Sequence, residues 1–319
     1  DNWCPHEFGI EINEQNHILI IANFYEHVGG CAFVFPNQSF LYRSTDGGQS
    51  WSPIYTCINA RDIAGIGQGV GDPAILLDES NNRIWIAGLA APKTGHPIWK
   101  SELGSASPAK CGQLILAYSD DEGKTWSKPI NITESIKRVG DKDTNDWGCI
   151  FQGPGNGICM RNGTLVFPAQ VWGVKAEGKK MGDKRVGCLV YSKDNGKTWT
   201  SSKSMDFGGS ESTVAELSDG SLMMNTREGN GGWRQVGITK DLGETWTKHA
   251  SATTAEGRLR NPFCQGILTS LFNTEEQSYE FGNDEKHALF FSNPNAGKRS
   301  HMTLKVSTDD GNTWSKGFL

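Results

Sequence analysis

Apolar residues in this chain fall in short runs broken by turn-forming residues. Leu114-Ile-Leu-Ala-Tyr118, Cys188-Leu-Val-Tyr191 and Met302-Thr-Leu-Lys-Val306 are strand-like. So are the runs Arg83–Gly88, Gly163–Pro168, Ser221–Asn225 and His287–Ser292. Runs of this length, bounded by Gly, Asn, Asp and Ser, predict many short strands joined by tight turns. Helical stretches rich in Ala, Leu, Glu and Lys are nearly absent, which argues against a helical bundle or a large α/β enzyme. No run approaches the ~18 apolar residues of a membrane span.

Five of the breaks share one pattern, [ST]-x-D-x-G-x-[ST]-W. It runs Ser44–Trp51, Ser119–Trp126, Ser192–Trp199, Thr239–Trp246 and Ser307–Trp314. Asp, Ser and Thr side chains bond nearby backbone N–H groups in turns. Gly supplies the positive φ of a tight hairpin, and Trp packs on the sheet beside it. Each copy follows a strand-like run, so each predicts a hairpin tip with a structural role. Between aspartates the spacings are 75, 73, 47 and 68 residues, more than one four-stranded sheet needs, which leaves room for long functional loops. Radial repetition of such sheets makes a β-propeller. No Pro-rich or charge-rich linker interrupts the chain, so a single domain over residues 1–319 is expected.

Composition fits this picture. Gly numbers 39 and Trp 11 in 319 residues. Charged residues at 21% and hydrophobic residues at 36% suit a soluble globular protein. A net charge of -5 gives no electrostatic reason to expect nucleic acid as a partner. None of the eight cysteines forms a C-x-x-C pair, so a zinc or thioredoxin-type site has no support. Buried thiols and the disulfides of a secreted protein both remain open.

The repeated motif is the Asp box, and the segments between boxes resemble exo-α-sialidases, nearest the bacterial and animal type of glycoside hydrolase family 33. The matching stretches are Gly71–Asp78, Gln152–Ile158, Gly163–Gln170, Ser210–Arg227 and Phe290-Phe-Ser-Asn-Pro294 followed by Arg299. The match runs in unbroken order from about Ser44 to Trp314. It implies an all-β, six-bladed propeller with five Asp-box hairpins and an incomplete last blade. It also implies an enzyme that releases terminal sialic acid from sialylated glycans (glycoproteins, gangliosides, oligosaccharides) with no metal or organic cofactor. Secretion, or a lysosomal or periplasmic location, follows from the same resemblance.

The resemblance assigns roles one residue at a time. Arg227 and Arg299 match two of three arginines that grip the substrate carboxylate. Guanidinium forks bind carboxylates bidentately and keep their charge. Glu211 matches the glutamate that polarises a tyrosine nucleophile, the sialidase exception among glycosidases. Asp72 matches a pocket aspartate near the sugar's O4 and N-acetyl side, and Gln152 is a further pocket residue. Three elements of the family pattern are not matched. The stretch His6-Glu-Phe-Gly-Ile10 has no arginine where the first is expected, and no aspartate lies between Ala22 and Phe40. There Glu26 and His27 are the candidate acid/base groups. The nucleophilic tyrosine is expected a few tens of residues after the last box, and the chain ends five residues past Trp314. The expectation is therefore a chain truncated at its C-terminus. The alternative is a sialic-acid-binding, lectin-like propeller that has lost the first arginine and the acid.

Overall fold

The structure is a computed structural model. It describes residues 3–12, 17–28, 32–34, 38–53, 55–59, 62–63, 66–92, 94, 98–141, 147–174, 184–227, 232–273 and 286–318. Their regular secondary structure is almost wholly β. The exceptions are one five-residue α-helix, Thr133–Lys137, and short 3₁₀ turns such as Ile98–Lys100 and Ala250–Ala252. All seven strand runs read from the sequence fall on strands, although Gly163, Thr164 and Ser221 precede the strands their runs enter. Gln113–Ser119, for example, contains the Leu114–Tyr118 run, and His287–Pro294 contains His287–Ser292.

The chain divides into two compact units, residues 1–185 with 189–201, and residues 186–188 with 202–319. The strand Lys184–Ser192 is thus split, and its Val186–Cys188 belongs to the second unit. The first unit holds three sheets of five strands each. In one of them, Ile66–Asp78, Arg83–Pro92, Gln113–Ser119 and Ile130–Asn131 follow one another antiparallel. The short strand Gly155–Asn156 joins its edge in parallel with Ala74 and Ile75. The second unit holds a four-stranded meander of Ser212–Glu216, Leu222–Thr226, Gln235–Thr239 and Thr247–Lys248. It also holds a three-stranded sheet, Ile267–Phe272, His287–Pro294 and Met302–Ser307.

Each unit buries its own apolar residues. Leu19, Leu41, Ile58, Val70, Ile75, Ile86 and Ile115 form one core in the first unit. Leu217, Met223, Val236, Leu268, Leu289 and Phe291 form the core of the second. Box tryptophans seal the edges, with Trp126 against the first core and Trp314 against the second.

The five boxes share one hydrogen-bond pattern. In the first, Ser44 Oγ donates to Asp46 Oδ1 at 2.8 Å and accepts from Gly48 N at 2.8 Å. Asp46 Oδ1 accepts from Ser50 N at 2.9 Å, and Oδ2 accepts from Ser50 Oγ at 2.5 Å. The fourth repeats this with Thr239, Asp241, Gly243 and Thr245. At the tip, the box glycine and the residue before it both have positive φ, as in Leu242 (54°) and Gly243 (82°). Two successive positive φ values define the type I′ turn, whose twist matches antiparallel strands. These bonds hold the Asp46 and Asp241 carboxyls down at about 2. The bonds from Ser50 and Thr245 are the main cause.

Candidate active site

In the second unit, the turn from Leu217 to Ser221 closes on itself through Leu217 N to Ser221 O at 2.8 Å and Asp219 Oδ1 from Ser221 N at 2.9 Å. It sets the register Ser212 opposite Thr226. One step further out, Arg227 N donates to Glu211 O at 3.0 Å. The two side chains meet there, with Arg227 Nη1 on Glu211 Oε1. Both are half-buried, with side chains 20% and 18% exposed. The pair uses one carboxylate oxygen and one of the five guanidinium donors, so both groups keep capacity for a third partner.

The approach to Glu211 is fixed by Gly209. A Cβ at Gly209 would stand 2.2 Å from Val186 Cα and 2.3 Å from its carbonyl carbon. Nearby, Gly187 N donates to Gly208 O at 2.8 Å, and Met205 N donates to Gly187 O at 2.7 Å. Only a residue without a side chain lets the segment before Glu211 lie this close to the Val186–Cys188 backbone.

Arg299 lies in the same unit on an exposed turn. Its Nε and Nη2 both donate to the Phe263 carbonyl, at 3.1 and 2.6 Å. Among the described residues, no hydrogen bond or ion pair joins it to Glu211 or Arg227.

In the first unit, Asp72 and Gln152 come together. The pairing of Ile66–Asp78 with Arg83–Pro92 shifts register between Gly71 and Ala74, so Asp72 and Pro73 form a bulge. Asp72 has a φ of 51°, in the left-handed region that a non-glycine residue enters only when its surroundings enforce it. Gln152, at the end of Cys149–Gln152, is fully buried and donates its amide to the Asp72 carbonyl. Its Oε1 is buried with no partner among the described residues. The sequence suggested a pocket aspartate and a pocket glutamine, and the structure makes the glutamine the support of the aspartate's backbone.

Glu26 and His27 lie on the strand Ile18–Val28, with Glu26 opposite Trp3 and Val34 and His27 opposite Phe33. Their side chains lie outside the described residues. No group of three His, Cys, Asp or Glu side chains able to hold a metal ion occurs among the described residues. Cys111, Cys149 and Cys264 carry free thiols. Burial pushes the Cys149 thiol up, out of the nucleophilic range. A cleft of 680 Å³ beside the second box, lined by Thr56, Asn59, Asp62, Lys124, Trp126 and Lys128, includes none of the candidate residues.

Sequence reasoning missed Gly209 and the turn at Phe263. The Gly208-Gly209 doublet before Ser210-Glu211 was the readable signal for the first. The second has none, because the contact with Arg299 spans 36 residues.

Comparison with known proteins decides the family. The model of the BNR repeat-like domain matches residues 79–318, and that of the BNR/Asp-box repeat matches 42–53. The chain belongs to the sialidase-type BNR-repeat family. Within this family it is 40% identical over 282 residues to a sialidase of Bacteroides fragilis, covering 86% of this chain and 47% of that protein. It is 36% identical over 205 residues to a sialidase of Clostridium perfringens, covering 64% and 50%. The chain thus spans about half the length of the curated relatives it matches. Its fold superposes on the solved "Hadza microbial sialidase Hz136" with a TM-score of 0.81 at 33% identity, over 99% of this chain and 58% of that one. Trypanosoma rangeli sialidase in complex with sialic acid shares the fold, with a TM-score of 0.70 at 21% identity over 96% and 46%.

Proposed function

We propose that this protein is a six-bladed propeller exo-α-sialidase that hydrolyses terminal sialic acid from glycoconjugates with retention. The observation that carries this reading is the Glu211–Arg227 ion pair, at two positions the resemblance singles out for chemistry.

In this mechanism Arg227 and Arg299 hold the substrate carboxylate. Glu211 accepts the proton of a tyrosine phenol as the phenol oxygen bonds to the anomeric carbon. The bond to the aglycone oxygen breaks, and that oxygen takes a proton from a general acid, with Glu26 and His27 as candidates. Water then gives a proton to the group that served as acid and attacks the same carbon, and the departing phenol oxygen takes its proton back from Glu211. Two inversions give net retention. A neutral phenol suits this substrate because a carboxylate nucleophile would repel the sugar's own carboxylate. The resemblance expects this tyrosine after the last Asp box, and residues 315–319 contain none.

The test is turnover of a fluorogenic sialoside by the full protein that carries this sequence, taken as the parent, and by its Arg299→Ala and Glu211→Gln variants. The expected result is activity in the parent with a loss of about 10²-fold or more in each variant. Tight binding of sialic acid by the parent with no product would overturn hydrolysis and favour the lectin-like reading.

A further inference from the structure

We infer that Arg234 is a positioning residue that sets the spacing of the two carboxylate-binding arginines. The inference rests on the function proposed above. Arg234 is 1% exposed, a depth that arginine reaches almost only when its guanidinium is paired. It sits between the short strand Gly232–Trp233 and the strand Gln235–Thr239. Its own N–H donates to Leu259 O at 2.9 Å.

The guanidinium faces two ways. On one side, Nε donates to Asn225 Oδ1 at 2.5 Å and Nη2 to Asn225 O at 3.3 Å. Asn225 stands two residues before Arg227 at the end of Leu222–Thr226. On the other side, Nη1 donates to Cys264 O at 2.9 Å. Cys264 follows Phe263, whose carbonyl takes both bonds from Arg299. One planar cation therefore ties the strand that leads into Arg227 to the turn that orients Arg299.

The turn needs such a tie. Phe263 has a φ of 54° and is 43% exposed, so packing of its own side chain does little to hold a conformation that bulky residues avoid. The fixed fork of a guanidinium can hold three acceptors in set directions, which a lysine ammonium on a flexible stem cannot.

The test compares two ligands, free sialic acid and its carboxyl methyl ester, in the parent, Arg234→Lys and Asn225→Ala. Affinities are measured by calorimetry and folding by thermal unfolding. The expected result is that Arg234→Lys weakens the acid about 10- to 100-fold, the scale of a small misplacement of a binding group, and leaves the ester unchanged. Asn225→Ala removes the bond from Nε to the side chain, keeps the one from Nη2 to the main-chain carbonyl, and gives the same signature at smaller amplitude. Equal loss toward acid and ester, or loss of the fold in both variants, assigns Arg234 to stability alone and overturns the inference. A parent that does not prefer the acid to the ester overturns the carboxylate-binding reading itself, and this inference with it.

Discussion

Glu211, Arg227 and Gly209 show how one residue's freedom fixes another's chemistry. A Cβ at position 209 would meet main-chain atoms of Val186, and main chain does not give way as a side-chain tip does. Gly209→Ala is therefore expected to destabilise by about 1–3 kcal/mol, the usual range for overpacking. It is also expected to displace Glu211, so turnover falls further than the melting temperature alone accounts for. Thermal unfolding and kcat/KM on the same preparation check both. At this scale the sequence was informative about identity and poor on geometry. Glu211, Arg227, Asp72 and Gln152 stood out from their flanking residues. The bulge that twists Asp72 to positive φ and the glutamine that caps it depend on pairings across the fold, and local pattern does not carry them.

At the level of the element, the hairpin tips are the most legible part of the chain, because the bonds that the recurring Ser or Thr and Asp of each box make within the turn span four residues or fewer. Their aspartates make a pH prediction. The Asp241 carboxyl lies at about 2 in the fold, below the ~3.9 of an unfolded chain. A depressed carboxyl adds stability that is complete above the unfolded value and lost as pH falls through the folded one. Urea midpoints should therefore drop between pH 4 and pH 2. Asp241→Asn is expected to lower the midpoint at neutral pH and flatten that drop. Its amide nitrogen cannot accept the Thr245 hydroxyl bond that Asp241 Oδ2 accepts at 2.7 Å. Strand positions were readable for a related reason, since each run is a continuous apolar stretch ended by turn residues. The short strands Gly232–Trp233 and Arg260–Asn261 were not, because their pairing rests on long-range contact and on no pattern of their own.

For the whole molecule, the division into two units does not follow a linker. Val186–Cys188 belongs to the second unit although the residues on both sides belong to the first. These three residues supply both main-chain bonds of Gly187 to the 205–208 segment, and Val186 and Cys188 are almost fully buried. A fragment starting at Ser202 is thus expected to unfold without a cooperative transition, followed by near-UV circular dichroism in urea. A fragment starting at Lys184 should recover part of it. Sequence reading saw no boundary here, which is consistent with a junction made inside a strand. The Asp boxes have an opposite consequence. Each shapes its turn with bonds among its own Ser or Thr, Asp and Gly, so a tip forms whatever length of chain lies before the next one, and the intervals already range from 47 to 75 residues. Insertions can accumulate in the connecting loops while the frame stays in register, which makes the recognition surface of such a protein far more evolvable than its scaffold.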